Sequence, residues 1–372
     1  TAYPSNDIVF LAAFPRYNNG MTHAYLRPSL LPLQPYDAVP AYQADKLDAN
    51  EFPLDMPEWF KTKLALVWEK AISSNRYPEA SHHGLKEAIA AYAGVNADQV
   101  SLGNGSDELI RSVLIATCLE NRGPILVAEP TFSMYAIIAQ SLGIPVIRTR
   151  RQENTMAMDV RLCQQALEEE GARVVCVTSP NSPTGNALTA EEWNWLEGIP
   201  DRVLVLIDEA YFEFCGQTAV PRLPEHPNWV VLRTFSKAFR LAAHRVGYAI
   251  GDPGLIRVLE AIRLPYNLPS FSQWAAQLAL EHRGELLADV ELIRQERARL
   301  YPLLQAMPGL RVWPSQANFF YLRHASWDLG ALQRAWLAAG TCVRLTGGGL
   351  RLTVGTRAEN ERALQRLAGI LA

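Results

Sequence analysis

Val203-Leu204-Val205-Leu206-Ile207 is an uninterrupted apolar run that stops on Asp208-Glu209-Ala210-Tyr211. A run of this length, rich in β-branched residues, fits a strand covered on both faces, which is the condition of a mostly parallel sheet. Three other runs repeat it: Ile125-Leu126-Val127-Ala128, Val174-Val175-Cys176-Val177 and Trp229-Val230-Val231-Leu232. The stretches between them, such as Ser133 to Gln140 and Met158 to Glu169, are amphipathic and fit crossover helices. Strands alternating with helices in this way predict a doubly wound α/β layout.

Outward from this centre the pattern changes twice. On the N-terminal side, Trp59 to Ile72 and Gly84 to Tyr92 read as helices, with Arg76-Tyr77-Pro78 as the break between them. The first fifty residues are rich in Pro and Tyr and read as an extended arm. Beyond Pro265, Gly284 to Ala306 reads as one long connecting helix. Short strands follow at Arg311 to Trp313, Ala317 to Leu322 and Leu350 to Val354, with helices at Leu329 to Ala339 and Ala358 to Leu371. The expected organisation is an arm over 1–50 packing on the smaller unit, a large domain over 51–265 and a small α+β domain over 266–372. The boundary falls near 262–268.

Bulk composition narrows the function classes. The chain has 372 residues, 49% hydrophobic and 20% charged, with a formal net charge of −3. That length favours two packed domains. No basic stripe of the kind a nucleic-acid binder needs is present, and no run of 18 apolar residues predicts a membrane span. The chain opens on Thr1-Ala2-Tyr3-Pro4, without a basic-then-apolar leader and without an initiator Met. Removal of that Met, or a start slightly downstream of the native one, is expected. The five cysteines have neither metal-finger nor redox-motif spacing, and His82-His83 has no matching third ligand. Reduced thiols in a cytoplasmic protein with no metal site are expected.

The strongest local signal is Thr234-Phe235-Ser236-Lys237-Ala238-Phe239, followed by Arg245 and Gly247. A lysine directly after a buried strand either escapes to solvent or is used. In a low-dielectric cleft its pKa falls, and the neutral amine can attack an aldehyde. Ser236 and Arg245 together could bind a phosphate dianion. Asp208 ends its strand where open α/β sheets bind ligands, though an aspartate there can also simply cap a turn. Ser179-Pro180-Asn181-Ser182-Pro183-Thr184-Gly185 is a second polar loop at a strand end, and Gly103-Asn104-Gly105-Ser106-Asp107-Glu108 precedes a helix in the manner of a phosphate nest.

With these four strand ends the sequence resembles the fold-type I pyridoxal-5′-phosphate (PLP) aminotransferases. Within them it is most similar to the histidinol-phosphate branch. The likeness runs from Leu33-Gln34-Pro35-Tyr36 to Leu350-Arg351-Leu352-Thr353-Val354-Gly355-Thr356. It includes Leu47-Asp48-Ala49-Asn50-Glu51-Phe52-Pro53, the Arg76-Tyr77-Pro78 turn and Pro130-Thr131-Phe132-Ser133-Met134-Tyr135.

The resemblance implies that Lys237 holds PLP as a Schiff base and later shuttles the substrate proton. Asp208 would pair with the pyridinium nitrogen, keeping the ring able to accept carbanion charge. Asn181 and Tyr211 would bond the ring's 3′-oxygen, and Phe132 would stack on the ring where relatives often carry Tyr. The backbone amides of Ser106 and Asp107, with Ser236 and Arg245, would hold the cofactor phosphate. Tyr77 would reach that phosphate from a partner subunit, making a homodimer with shared active sites. Arg351 would fork onto the substrate anion, assisted by Arg344 and Tyr36. His244, beside Arg245, reads as a packing residue. The implied reaction, in histidine biosynthesis, is transamination between L-histidinol phosphate and 2-oxoglutarate. Rival readings are an aminotransferase for aromatic or other amino acids, a phospho-amino-acid decarboxylase of the same fold, and a non-enzymatic PLP-fold sensor. The last would need a DNA-binding element that the sequence lacks.

Overall fold

The computed structural model describes residues 25–31 and 44–372. Residues 1–36 and 37–372 form separate units. In the first, Pro28–Leu30 makes a 3-10 turn. Tyr36 lies outside the described residues, as does most of the expected arm.

Three sheets make up the second unit. In chain order its strands are β1 (Asp45–Lys46), β2 (Val100–Asn104), β3 (Ile125–Glu129), β4 (Val146–Arg150), β5 (Val174–Thr178), β6 (Leu204–Asp208), β7 (Trp229–Thr234), β8 (Val246–Gly251), β9 (Leu310–Val312), β10 (Phe319–His324), β11 (Thr341–Cys342), β12 (Arg344–Thr346) and β13 (Gly349–Thr353). The central sheet has seven strands in the order β2-β8-β7-β6-β5-β3-β4. The β3–β4, β3–β5, β5–β6 and β6–β7 pairs are parallel, whereas β8 is antiparallel to both β2 and β7. Alternate residues of one strand enter different cores: Val205 and Ile207 pack with Phe60, Ile89 and Phe235, while Leu206 packs with Val113, Tyr135 and Ile256. Both faces are therefore covered, which is why the central strands read as unbroken apolar runs.

A four-stranded antiparallel sheet, β12-β13-β10-β9, has its own core of Phe320, Leu322, Leu350, Leu352, Trp336 and Leu367. Asp45–Lys46 pairs in parallel with Thr341–Cys342.

Two expectations at this level need correction. Gly284 to Ala306 is not one helix: Arg283–Leu286 is a short helix, Leu287–Asp289 a 3-10 turn, and the long helix spans Val290–Gln305. Arg240 sits against the break, donating to the Leu286 carbonyl and pairing with Asp289, and Leu287-Ala288-Asp289 holds no Gly or Pro to mark it. Strands β2 and β8 were also not anticipated as strands. Their glycines, Gly103 and Gly247, sit opposite each other in register. A Cβ on Gly247 would lie 2.6 Å from Ser106 N, so glycine there lets the next loop approach the sheet. Among the described residues no helix is long and apolar enough to cross a membrane.

Candidate active site

Parallel register levels the carboxyl ends of three strands, with Thr178 beside Asp208 and Asp208 beside Leu232. Asp208, 2% exposed, is held on both oxygens: Tyr135 Oη donates to Oδ2 at 2.9 Å and Ala210 N to Oδ1 at 3.0 Å. Burial pushes its carboxyl up to about 6, against the lowering effect of those two bonds. A buried carboxylate with no cationic partner among the described residues is poised to take one from a ligand. Tyr135, which also bonds Thr178 Oγ1 at 2.8 Å, is a site residue that sequence reasoning did not single out. The only signal was its place within the matched 130–135 segment.

Lys237 follows β7 in a tight turn, half-buried, with Nζ donating to the Ala49 carbonyl at 2.8 Å. Burial brings its pKa down to about 8, and the positive charges of Arg351 and Arg245 act in the same direction. Its ammonium lies 5.9 Å from the Tyr211 ring centre. The amine is thus tuned toward its neutral, nucleophilic form.

Beside it is an anion cradle. The helix Gly105–Cys118 starts with no side-chain cap on its first turn. Arg245 has a left-handed backbone (φ 55°), donates to Ser236 Oγ at 3.2 Å and reaches Asp107 Oδ2 at 3.4 Å. Gly105 has a left-handed backbone (φ 75°), which favours glycine, and a Cβ there would press on the Arg245 guanidinium, 2.5 Å from Nη2. Uncapped amides, a hydroxyl and a guanidinium converge on one spot, a donor set suited to a phosphate. Ser106 and Asp107 follow Gly105 in the first turn of that helix.

On the other side, Tyr211 is buried with its hydroxyl accepting from Asn50 Nδ2 at 2.9 Å. Burial holds that phenol above its usual pKa, while the Arg351 charge and hydrogen bonds from Asn50 and Ser182 oppose the shift. Arg351 Nη1 donates to Ser182 Oγ at 3.0 Å and Nη2 to the Asp48 carbonyl at 2.6 Å. Arg344 is the register partner of Arg351, so the two side chains leave the same face of the small sheet. Asn50, fully buried with φ 55°, also bonds Thr353 and Asn318; it was matched in sequence but given no role.

Asn181 is placed differently from a free ring contact. Its Nδ2 donates to the Pro130 carbonyl and to Thr184 Oγ1, and its Oδ1 accepts from Thr131. Its neighbour Ser182 instead stands between Arg351 and Tyr211. Phe132 packs edge-on against Tyr135, with centroids 5.5 Å apart at 86°. His244 stacks on Phe271. Tyr77 is 79% exposed and stacks on Tyr266 with centroids 4.5 Å apart, outside the group gathered around Lys237.

Comparison with known proteins agrees with this geometry. The family model of the class I and II aminotransferases matches residues 45–367, and the chain belongs to that family. It is 70% identical over 347 residues to the histidinol-phosphate aminotransferase of Synechococcus sp. strain JA-2-3B'a(2-13), covering 93% of this chain and 98% of that one. It is 49% identical over 361 residues to the histidinol-phosphate aminotransferase of Thermosynechococcus vestitus, covering 93% and 97%. The crystal structure of histidinol-phosphate aminotransferase from Sinorhizobium meliloti in complex with pyridoxal-5′-phosphate superposes with a TM-score of 0.82 at 22% identity, covering 97% of this chain and 99% of that one. At that identity the likeness establishes the fold.

Proposed function

We propose that this class I and II aminotransferase moves an amino group between L-histidinol phosphate and 2-oxoglutarate, giving imidazole-acetol phosphate and glutamate. The observation that carries the chemistry is a lysine amine lowered to about 8, set at the end of the strand next to one that ends in a buried carboxylate with no cationic partner among the described residues. The fitting cofactor is pyridoxal phosphate. Its phosphate matches the cradle of Gly105, Ser106, Asp107, Ser236 and Arg245, and its ring nitrogen matches Asp208. Bound there, it supplies an aldehyde for the lysine amine and a ring that accepts the electron pair left when the substrate Cα–H bond breaks.

The chain's own residues do the rest. Lys237 would hold the cofactor through its amine, and the same amine, once free, would serve as the base that takes the substrate Cα proton. Asp208, fixed by Tyr135 and Ala210, would pair with the ring nitrogen and favour its protonated form. Tyr211, oriented by Asn50, presents its phenol to the ring oxygen, and Phe132 offers an aromatic face. Arg351 binds the anionic end of the substrate, with Arg344 on the same sheet face as the second cation. A phosphate can engage both, and the glutamate carboxylate uses the same fork.

Tyr77 is the group that supports a dimer. An exposed phenol stacked on Tyr266, which is itself exposed, would suit a partner subunit's phosphate site. The testing experiment is an amino-donor and acceptor panel on the PLP-loaded protein. Preference for the histidinol phosphate and 2-oxoglutarate pair supports the reading. Carbon dioxide release, or preference for phenylalanine and tyrosine, overturns it.

A further inference from the structure

Asp208 and Lys237 sit at the ends of adjacent strands, and one buried ion pair ties those ends together. Glu209, next to Asp208, and Arg233, four residues before Lys237, are both almost fully buried, with Arg233 Nε 2.9 Å from Glu209 Oε2. Every oxygen of Glu209 is used: Oε1 accepts from Ala219 N at 2.6 Å, and Oε2 also accepts from Thr218 Oγ1 at 2.9 Å. Arg233 Nη2 donates to the same Thr218 hydroxyl at 2.7 Å, and its guanidinium carbon lies 3.6 Å from the Phe212 ring centre. The main chain adds Glu209 N to the Leu232 carbonyl at 2.8 Å. The pair thus clamps the Asp208–Tyr211 turn to the strand that delivers Lys237.

Stability alone does not account for such a pair. Taking two charges out of water offsets much of their attraction, and well-packed apolar residues of similar volume usually serve as well or better. What apolar residues cannot supply is direction: four hydrogen bonds among Glu209, Arg233, Thr218 and Ala219, with the Glu209 N bond to the Leu232 carbonyl, fix the orientation of both strand ends at once. We propose that Glu209 and Arg233 are positioning residues. Their buried pair sets where Asp208 stands relative to Lys237, and so how firmly the ring nitrogen's proton is held while Lys237 works. Neither touches substrate or cofactor. The proposal rests on the aminotransferase reading above, and it is tested by comparison with an active wild type, so the two fail separately.

The test uses full-length, cofactor-loaded protein and two variants. The double variant Glu209→Leu with Arg233→Met removes both charges together, avoiding an orphaned buried ion. Thr218→Val removes the shared hydroxyl and leaves both charges. Melting temperature, kcat and the pH midpoint of the bound cofactor's visible band are measured for each. The expected result for the double variant is a near-wild-type melting temperature, a kcat at least about 30-fold lower and a displaced midpoint. Thr218→Val should move kcat and midpoint the same way by a smaller amount. Wild-type kcat and midpoint in a folded double variant overturn the proposal. If the double variant does not fold, Thr218→Val decides alone, and an unmoved midpoint there overturns it.

Discussion

Tyr135 Oη lies 2.9 Å from Asp208 Oδ2 and 2.8 Å from Thr178 Oγ1, so a fully buried phenol holds the carboxylate at the floor of the site. Burial raises Asp208 toward protonation, and the Tyr135 bond is the largest contribution that keeps it ionised. Tyr135→Phe should therefore lower kcat about 5- to 10-fold, the ~1 kcal/mol worth of one hydrogen bond. Asp208→Asn should lower it roughly 10³-fold, about 4 kcal/mol, because the ring nitrogen's proton then has no anionic partner. Single-turnover rates of Cα proton removal from a deuterated substrate check both. Equal rates for Asp208→Asn and wild type would show that Asp208 only caps a turn.

The lysine makes a pH prediction. Free Lys237 is neutral only above its pKa, and burial lowers that to about 8. Uptake of PLP by cofactor-free protein should speed up with rising pH and level off above about 8, rather than climbing past 10 as for an ordinary lysine. Stopped-flow absorbance gives the profile. Borohydride should then fix the cofactor on Lys237, and mass spectrometry finding it on another lysine removes that assignment.

In the proposed function, substrate choice would rest on the two arginines, Arg344 and Arg351, in register across β12 and β13. Histidinol phosphate should exceed histidinol by at least about 10²-fold in kcat/KM, from charge-assisted bonds worth about 1.5–3 kcal/mol each. Arg351→Lys should impair glutamate as well, since a point charge replaces a fork. Arg344→Ala should harm the phosphorylated substrate more than glutamate. Both half-reactions measured for the two variants decide this, and equal losses on both substrates in Arg344→Ala would remove Arg344 from the site.

Tyr77 gives a test of shared sites. Lys237→Ala and Tyr77→Ala subunits, each inactive or weakened alone, should regain activity when mixed, because one hybrid site draws both groups from intact copies. No recovery after verified subunit exchange would confine Tyr77 to its own subunit's surface.

The sheet centre was legible because both faces of β3, β5, β6 and β7 are covered, which leaves unbroken apolar runs. Lys237 and Asp208 stood out in the sequence because charged residues at buried strand ends are costly unless used, and Arg245 stood out by its nearness to Lys237 in the chain. Tyr135 was not, because an aromatic in an amphipathic helix reads as packing until its hydroxyl is seen to have a buried partner. Asn50 and the 287–289 break were hidden for a related reason. Their partners are Thr353 and Asn318 in one case and Arg240 in the other, all distant in sequence.

The most direct measurement mixes cofactor-loaded wild-type protein with one equivalent of L-histidinol phosphate, without an acceptor, and follows the cofactor spectrum and the products. The expected result is loss of the aldehyde-form band with one equivalent of imidazole-acetol phosphate. The band should then return when 2-oxoglutarate is added, with one equivalent of glutamate formed. An unchanged spectrum with histidinol phosphate, or release of carbon dioxide in place of the keto product, would contradict it.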